Sequence, residues 1–256
     1  MQVKGSLKEL IMFDLDGTLT ESKSKVTPEI VQAISDLQGD WERDVAIISG
    51  CSYKQFETQF LSEFHRFEHM KSLLHLMPTC GAQLYEYGGF ESGWYQEYNN
   101  DLVLREKAAI FNAWLSAKIP DDFDCEPYGE IAEDRGSQIT FSMCGQDAPL
   151  EIKKEYDPDT TRRKKIAESM RRYLPGFEVR IGGTTSIDVT KKGIDKAFGV
   201  LRIIEYLHID KKDVVFIGDA LFEGGNDYPV KALGIKCIET TGPQKTLEII
   251  DSLKDK

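Results

Sequence analysis

The chain has 256 residues, 41% hydrophobic and 29% charged, with 32 Lys+Arg against 43 Asp+Glu for a formal net charge of -11. That length holds one large domain or two modest ones, and the balance is that of an ordinary folded protein, which excludes disorder, collagen and coiled coil. So acidic a chain repels polyanions, which argues against nucleic acid and anionic membrane and for a small partner.

Met1 to Ile11 lacks the apolar stretch and cleavage site of a secretion signal, and no apolar run approaches the roughly 18 residues of a membrane span, so a cytoplasmic location is expected. Leu10 to Phe13 is a short apolar run, Pro28 to Leu37 has helical spacing (Ile30, Val31, Ile34, Leu37), Val45 to Ile48 is a second apolar run, and Tyr53 to Phe64 is helical. In that helix Phe56, Phe60 and Phe64 recur every four residues, a core-facing stripe. Short apolar runs alternating with amphipathic helices predict a parallel sheet covered on both faces. The texture then changes. Leu84 to Tyr87 and Trp94 to Tyr95 flank a Gly88-Gly89 turn, and Leu102 to Leu115 is helix-like with Phe111 and Trp114 on its buried side. Gln138 to Met143 alternates polar and apolar, as a half-exposed antiparallel strand does. Thr160 to Tyr173 is a charged helix, and Glu178 to Ile181 and Ser186 to Val189 are strands. The first rhythm returns with helix Gly193 to Tyr206, strand Val214 to Ile217, helix Tyr228 to Leu233, strand Ile235 to Ile238 and helix Thr246 to Leu253. The expected division is a core of residues 1–86 and 191–256 interrupted by an α+β insertion over 87–190.

The five cysteines, Cys51, Cys80, Cys125, Cys144 and Cys237, are odd in number and contain no C-x-x-C pair, so they encode neither a disulfide framework nor a thiolate zinc site. His65 and His69 are four apart with no third ligand nearby, which favours a solvated or packing role. The basic run Arg162-Arg163-Lys164-Lys165, with Arg171-Arg172, is interleaved with Asp157, Asp159 and Glu168 and reads as a solvated helix face.

Three polar clusters follow three apolar strands of the core, and in an open α/β sheet ligands bind at the carboxyl ends of the strands. Phe13-Asp14-Leu15-Asp16-Gly17-Thr18-Leu19-Thr20 places two aspartates one residue apart, able to hold a hard divalent cation and leave one carboxylate aimed at a substrate. A D-x-D alone is as readily an N-cap and turn; the longer string is far more specific. Ile48-Ser49-Gly50 offers a hydroxyl and backbone N–H groups to an anion, a signal that by itself is usually a turn. Gly218-Asp219 through Asn226-Asp227 adds two more carboxylates at a strand end, which would repel the first pair without a cation, and Mg²⁺ is the expected one. Lys196, in Gly193-Ile194-Asp195-Lys196 at a helix start, can neutralise a phosphate and balance the acids.

These motifs together resemble those of the haloacid dehalogenase (HAD) superfamily, subfamily IIB, and along almost the whole length the chain resembles the eukaryotic-type phosphomannomutases. The supporting stretches are DLDGTLT at 14–20, EDRGSQITFS at 133–142, GGTTSIDV at 182–189, GIDK at 193–196 and GGNDYPV at 224–230. The resemblance implies an α/β, HAD-like doubly wound parallel-sheet (Rossmann-like) core with an inserted α+β cap domain. It implies phosphoryl transfer in which Asp14 is the nucleophile, Asp16 the acid and base, and Lys196 the charge-balancing group. Mg²⁺ would be held by Asp14, the Asp16 carbonyl, Asp219 and Asp227, and phosphate by Ser49, Gly50, Lys196 and Asn226. Lys23, Arg135, Ser186 and Asp188 would bind substrate, a small phosphorylated sugar, with a homodimer as the candidate assembly. Hinge motion of the cap is expected.

The chain departs from the mutase pattern. Of one core arginine and three cap arginines that hold substrate in those mutases, it keeps Arg135 and has Lys23, Tyr128 and Gln146 at the other places. A mutase must grip a bisphosphate at both ends, and an amide and a phenol grip a phosphate less well than two guanidiniums. Arg180 could restore some charge, although a strand arginine is more often simply exposed. Those mutases also commonly carry Gly-Asn where this chain has Gly218-Asp219. Both departures favour a sugar-phosphate phosphatase; the alternative is a hexose phosphate mutase.

Overall fold

A computed structural model describes residues 9–21, 24–41, 43–117 and 127–254. Lys23 and Cys125 lie outside the described residues, as do the side chains of His65 and His69. The strands are β1 (Leu10–Asp14), β2 (Asp44–Ile48), β3 (Leu74–Met77), β4 (Gln83–Tyr87), β5 (Trp94–Asn99), β6 (Ala132–Asp134), β7 (Gln138–Ser142), β8 (Phe177–Gly182), β9 (Ser186–Lys191), β10 (Val214–Gly218) and β11 (Lys236–Glu239).

The chain divides into one unit of Met1–Asn99 with Asp195–Lys256 and a second of Asn100–Ile194. The first contains a seven-stranded sheet in the order β11-β10-β1-β2-β3-β4-β5. Its first five strands are parallel, while β3, β4 and β5 pair antiparallel. Alternation along the central strands explains the two layers of helices. Ile11, Phe13, Val45 and Ile47 share one cluster with Ile30, Ile34 and Leu37 of helix Pro28–Trp41 and Ile250 and Leu253 of helix Pro243–Lys254. Leu10, Met12, Ala46 and Ile48 share the other with Val200 and Ile203 of helix Lys196–Leu207. Strands apolar on both faces are what a doubly covered sheet requires. Each fully buried Leu, Ile or Phe side chain contributes about 1.5–3 kcal/mol from leaving water.

Several expectations are corrected. The domain edge expected at 86 falls inside the hairpin, because β5 adds to the seven-stranded sheet through its pairing with β4. The helix expected over 53–64 is broken into a turn at Tyr53–Phe56, a π-turn at Glu57–Leu61 and a 3₁₀ segment from Phe64. The Thr58 hydroxyl lies 3.1 Å from both the Lys54 and the Gln55 carbonyl, to either of which it can donate, and Ser62 Oγ donates to the Thr58 carbonyl, so side chains compete for the ladder's acceptors there. Phe56, Phe60 and Phe64 are nonetheless fully buried in the core.

The second unit has a four-stranded antiparallel sheet in the order β6-β7-β9-β8. Ile139 and Phe141 of β7 and Ile187 and Val189 of β9 share an apolar cluster with Ile110 and Ala113 of helix Leu104–Ser116 and Ile166 and Met170 of helix Thr161–Arg171. Trp114 stacks on Phe141 at 4.2 Å, whereas Phe111, expected inside, is 38% exposed and meets Phe141 by its edge. β7 is buried on both faces and not half-exposed. Its polar residues are satisfied in place: Gln138 Nε2 donates to Thr140 Oγ1, Thr140 Oγ1 to Asp188, and Ser142 Oγ to the Gly145 carbonyl.

The basic helix also departs from expectation. Arg163 is 2% exposed, its Nε 2.8 Å from Asp157 Oδ2, with Nη1 donating to the carbonyls of Gly182 (3.1 Å) and Gly183 (2.8 Å). A guanidinium has five donors in a fixed fork, so one buried arginine can staple a helix start to the β8–β9 turn. Among the described residues the cysteines form no disulfide, and no helix is long and apolar enough to cross a membrane.

Candidate active site

Strand register places the motifs at one edge of the seven-stranded sheet. Phe13 is level with Ile217 of β10, and Asp14 with Ile48 of β2, which is level with Met77 of β3. Asp14, Ser49, Pro78 and Asp219 therefore follow one another around the carboxyl ends of four adjacent parallel strands. The chain runs outward from β1 in both directions, so Asp14 and Asp219 flank the reversal of strand order where a crevice opens.

Asp14 leaves β1 into a tight loop, in which Gly17 N–H donates to the Thr20 carbonyl at 2.8 Å and Leu19 N–H to the Leu15 carbonyl at 2.9 Å. Gly17 has φ +86, and a Cβ there would lie 2.6 Å from Asp219 Oδ2, so only glycine lets the second aspartate loop close over the first. Asp227 lies against Gly218 in the same way, a Cβ at Gly218 meeting Asp227 Oδ2 at 2.4 Å. The Asp227 carboxylate also accepts Ala220 N–H at 3.0 Å and so fixes its own loop.

Oxygens of Asp14, Asp219 and Asp227 lie within 4.8 Å of one another. Lys196 Nζ sits among them, 2.6 Å from Asp14 Oδ1 and 2.5 Å from Asp227 Oδ1, with no solvent exposure. Asp195 caps this helix by accepting Phe198 N–H at 3.0 Å, and the lysine follows at the first helical position. The helix is brought in by a backbone contact, for a Cβ on Gly81 would lie 2.4 Å from Gly199 Cα. Gly81 ends a left-handed run, Thr79 (φ +51), Cys80 (φ +58) and Gly81 (φ +76), at the exit of β3. A left-handed threonine is costly, and such strain collects where a site over-determines the backbone.

The electrostatics follow from burial. Desolvation pushes the Asp14 carboxyl up to about 7; Lys196 opposes this, and Asp227 adds to it. Asp219 is raised by burial and by Asp227. Burial pulls the Lys196 ammonium down, but the Asp14 and Asp227 carboxylates outweigh it and hold the lysine above its ordinary value. Fully ionised, three carboxylates against one ammonium carry two net negative charges, and the raised Asp14 and Asp219 carboxyls reflect that uncompensated excess and their burial. Hard oxygen donors with that residual charge suit a divalent cation such as Mg²⁺.

Of the other expected residues, Asp16 is half-buried in the loop after β1, and its carboxylate is not one of the cluster's oxygens. Ser49 is buried, with Oγ accepting Cys51 N–H at 3.2 Å, and Gly50 follows it at the end of β2; Asn226 is exposed beside Asp227. In the second unit, Arg135 donates from Nε (2.9 Å) and Nη2 (2.7 Å) to Glu133 Oε2. Asp188 is opposite Arg180 and packs against Gly182, where a Cβ would meet its Oδ2 at 2.3 Å; burial raises its pKa, with Arg135 and the Thr140 hydrogen bond opposing. Ser186 pairs with Ser142 in register, and Gln146 Nε2 donates to the Ile131 carbonyl. Arg180, with 39% of its side chain exposed, donates to the Ile194 carbonyl and lies 3.9 Å from Glu178 Oε2. The sequence reading missed the Thr79–Gly81 turn, for which the Pro78 and Gly81 punctuation was the available signal.

The family model described as eukaryotic phosphomannomutase matches residues 126–254. The probable phosphomannomutase of Caenorhabditis elegans is 27% identical over 251 residues, covering 91% of this chain and 89% of that protein. The phosphomannomutase of Saccharomyces cerevisiae is 27% identical over 231 residues, covering 86% and 84%. Among solved structures, the IMP-nucleotidase of Plasmodium falciparum superposes with a TM-score of 0.72 at 19% identity, covering 97% of this chain and 70% of that one. A haloacid dehalogenase-like hydrolase from Bacteroides thetaiotaomicron superposes with a TM-score of 0.66 at 16% identity, covering 96% and 99%. At such identities the superpositions establish the fold.

Proposed function

Because this chain is a haloacid dehalogenase phosphotransferase and belongs to the eukaryotic phosphomannomutase family, we propose that it transfers the phosphoryl group of a hexose phosphate to Asp14 and then to water. The observation that carries the transfer is the buried Asp14–Lys196–Asp227 array with Asp219 against it. Asp14, Asp219 and Asp227 would hold Mg²⁺, which when bound neutralises charge on the phosphoryl oxygens.

The steps belong to the side chains. An Asp14 carboxylate oxygen forms the bond to phosphorus as the sugar oxygen leaves, and Asp16 gives that oxygen its proton. Asp16 then takes a proton from water, whose oxygen attacks the aspartyl-phosphate and releases Asp14 with free phosphate. Lys196 holds charge on the Asp14 side, and Ser49 with the Gly50 N–H completes the phosphate contacts. Arg135, Ser186 and Asp188 would select the sugar.

Hydrolysis is favoured because the places of two cap arginines hold Tyr128 and Gln146, and the Gln146 amide is spent on the Ile131 carbonyl. The second reading is a hexose phosphate mutase, favoured by relatives called phosphomannomutase that align along 84–89% of their own length. Incubation with mannose 1-phosphate and Mg²⁺, with and without a hexose bisphosphate, tests this. Stoichiometric free phosphate in both, abolished in Asp14→Asn, is expected; bisphosphate-dependent formation of the 6-phosphate with little free phosphate would overturn hydrolysis.

A further inference from the structure

Two threonines near the C-terminus lie behind the acidic cluster and touch both of its loops. Thr246, on helix Pro243–Lys254, and Thr240, just past β11, are 0% and 2% exposed. Thr246 Oγ1 is 2.8 Å from the Thr18 carbonyl and 2.9 Å from Thr240 Oγ1, and Gly242 N–H donates to Thr240 Oγ1 at 3.4 Å. A hydroxyl has one proton to give; with the Thr240 proton on Thr246 and not on the Gly242 carbonyl 3.0 Å away, the contacts form a chain of Gly242 N–H to Thr240, Thr240 to Thr246, and Thr246 to Thr18. Thr240 N–H meanwhile donates to the Gly218 carbonyl at 3.0 Å.

The Thr240 backbone bond to Gly218 and the hydroxyl chain to Thr18 together link the two aspartate loops. Thr18 follows Gly17 in the loop that begins at Asp14, and Gly218 precedes Asp219. The Asp14 loop is internally rigid through the Gly17–Thr20 and Leu19–Leu15 hydrogen bonds, so a shift of the Thr18 carbonyl moves Gly17 with it. Asp219 rests on Gly17, where an added Cβ would lie 2.6 Å from its Oδ2. The Thr18 hydroxyl is buried without a hydrogen-bond partner among the described residues and the Thr18 N–H donates within the loop to the Leu15 carbonyl at 3.4 Å, so the carbonyl is the handle on this residue from outside the loop.

We propose that Thr246 is a positioning residue whose hydroxyl, bridged to Thr240, sets the separation of the Asp14 and Asp219 loops and thereby the affinity of the cluster for a divalent cation. This rests on the cluster being a cation site. A merely local role is also available to Thr246, since its Oγ1 lies 3.1 Å from the Gly242 carbonyl one turn earlier in the chain. Loss of that local contact would lower helix stability and leave cation affinity and turnover alone.

The test compares Thr246→Val, which keeps the shape, with Thr246→Ser, which keeps the hydroxyl. Mg²⁺ binding is read by calorimetry, and kcat and KM for mannose 1-phosphate are read at saturating Mg²⁺. Thr246→Val should bind Mg²⁺ about ten-fold more weakly, the scale of one buried hydrogen bond, and lose kcat with KM within two-fold, while Thr246→Ser restores both. Unchanged Mg²⁺ affinity in folded Thr246→Val, or a serine variant as impaired as the valine one, overturns the proposal. If Thr246→Val does not fold, Thr240→Val decides: it should weaken Mg²⁺ binding in the same direction, and wild-type affinity there overturns the proposal. Wild-type protein that binds no Mg²⁺, or Asp219→Asn that binds it undiminished, instead overturns the cation site itself, and the proposal with it.

Discussion

Replacing Arg163 by Met tests the reading of the second unit most directly, because a residue in a surface-like basic run turns out to be a buried staple. The substitution keeps most of the apolar stem and removes the guanidinium, leaving Asp157 (1% side-chain exposure) without its ion pair. Breaking a buried pair by deleting one partner costs about 3–5 kcal/mol. Asp157 would still accept N–H groups of Arg162 (3.0 Å) and Arg163 (3.1 Å), which argues for the lower half of that range. The Gly182 and Gly183 carbonyls lose a donor each, adding about 1 kcal/mol if only one regains water. The expected loss is about 4–5 kcal/mol, a large part of the roughly 5–15 kcal/mol that holds a domain together. Urea unfolding followed by Trp114 fluorescence, in a Trp41→Phe/Trp94→Phe background, isolates this unit because Trp114 stacks on Phe141 within it. With a slope of about 2 kcal/mol per molar, the midpoint should fall by about 2–2.5 M. Arg162→Met, whose guanidinium lies over the Tyr156 ring, should cost about 1 kcal/mol or less. A shift at Arg163 no larger than at Arg162 would refute the staple.

Acid should weaken the same contact. Burial raises the Asp157 carboxyl, but hydrogen bonds from Arg163 and Arg162 outweigh it and hold it below the ordinary value. A depressed folded pKa stabilises above the ordinary carboxylate pKa and loses that stability as pH falls through the folded value. The Trp114 transition should therefore weaken below about pH 4, and less so in Asp157→Asn, which has no such carboxylate to protonate. Gly81→Ala, at φ +76 and with its Cβ 2.4 Å from Gly199 Cα, should cost about 2 kcal/mol or more and depress kcat by displacing the helix that begins at Lys196; an unchanged melting temperature would sink that account. Lys196→Met leaves Asp14 and Asp227 facing each other without a cation. It should abolish turnover and lower the melting temperature in metal-free buffer, and Mg²⁺ should raise that temperature more than in the wild type. An equal rise in both proteins would mean the ammonium does not balance the acids.

What the sequence made legible was whatever repeats locally. Apolar runs such as Leu10 to Phe13 and Val214 to Ile217 announced buried strands, and the aspartates after them announced a strand-end site. The break in the helix after Phe56 was not legible, because Thr58 and Ser62 capture ladder carbonyls by their side-chain geometry and not by their hydropathy. Arg163 reads as surface in any local window, since its partners Gly182 and Gly183 are about twenty residues away. Polar Gln138, Thr140 and Ser142 likewise implied a solvated face, and hydrogen bonds to residues such as Asp188 keep them buried instead. The Thr18–Thr246 link joins positions 228 apart, a separation no periodicity reaches.

The sheet order also governs how the chain can be made. β1 pairs with β2 on one side and with β10 on the other, and β10 is synthesised only after the whole of the second unit. During that interval Leu10, Ile11, Met12 and Phe13 present an open strand edge with no partner on one side, in an apolar segment of the kind that recruits other chains. Closing the sheet then requires a contact across some 200 residues, the slow kind of step in folding. An early, autonomous collapse of Asn100–Ile194 would shorten that gap to the distance between its ends. The insertion thus bears on the kinetics of the catalytic half, and nascent chains halted before Val214 are where aggregation should concentrate.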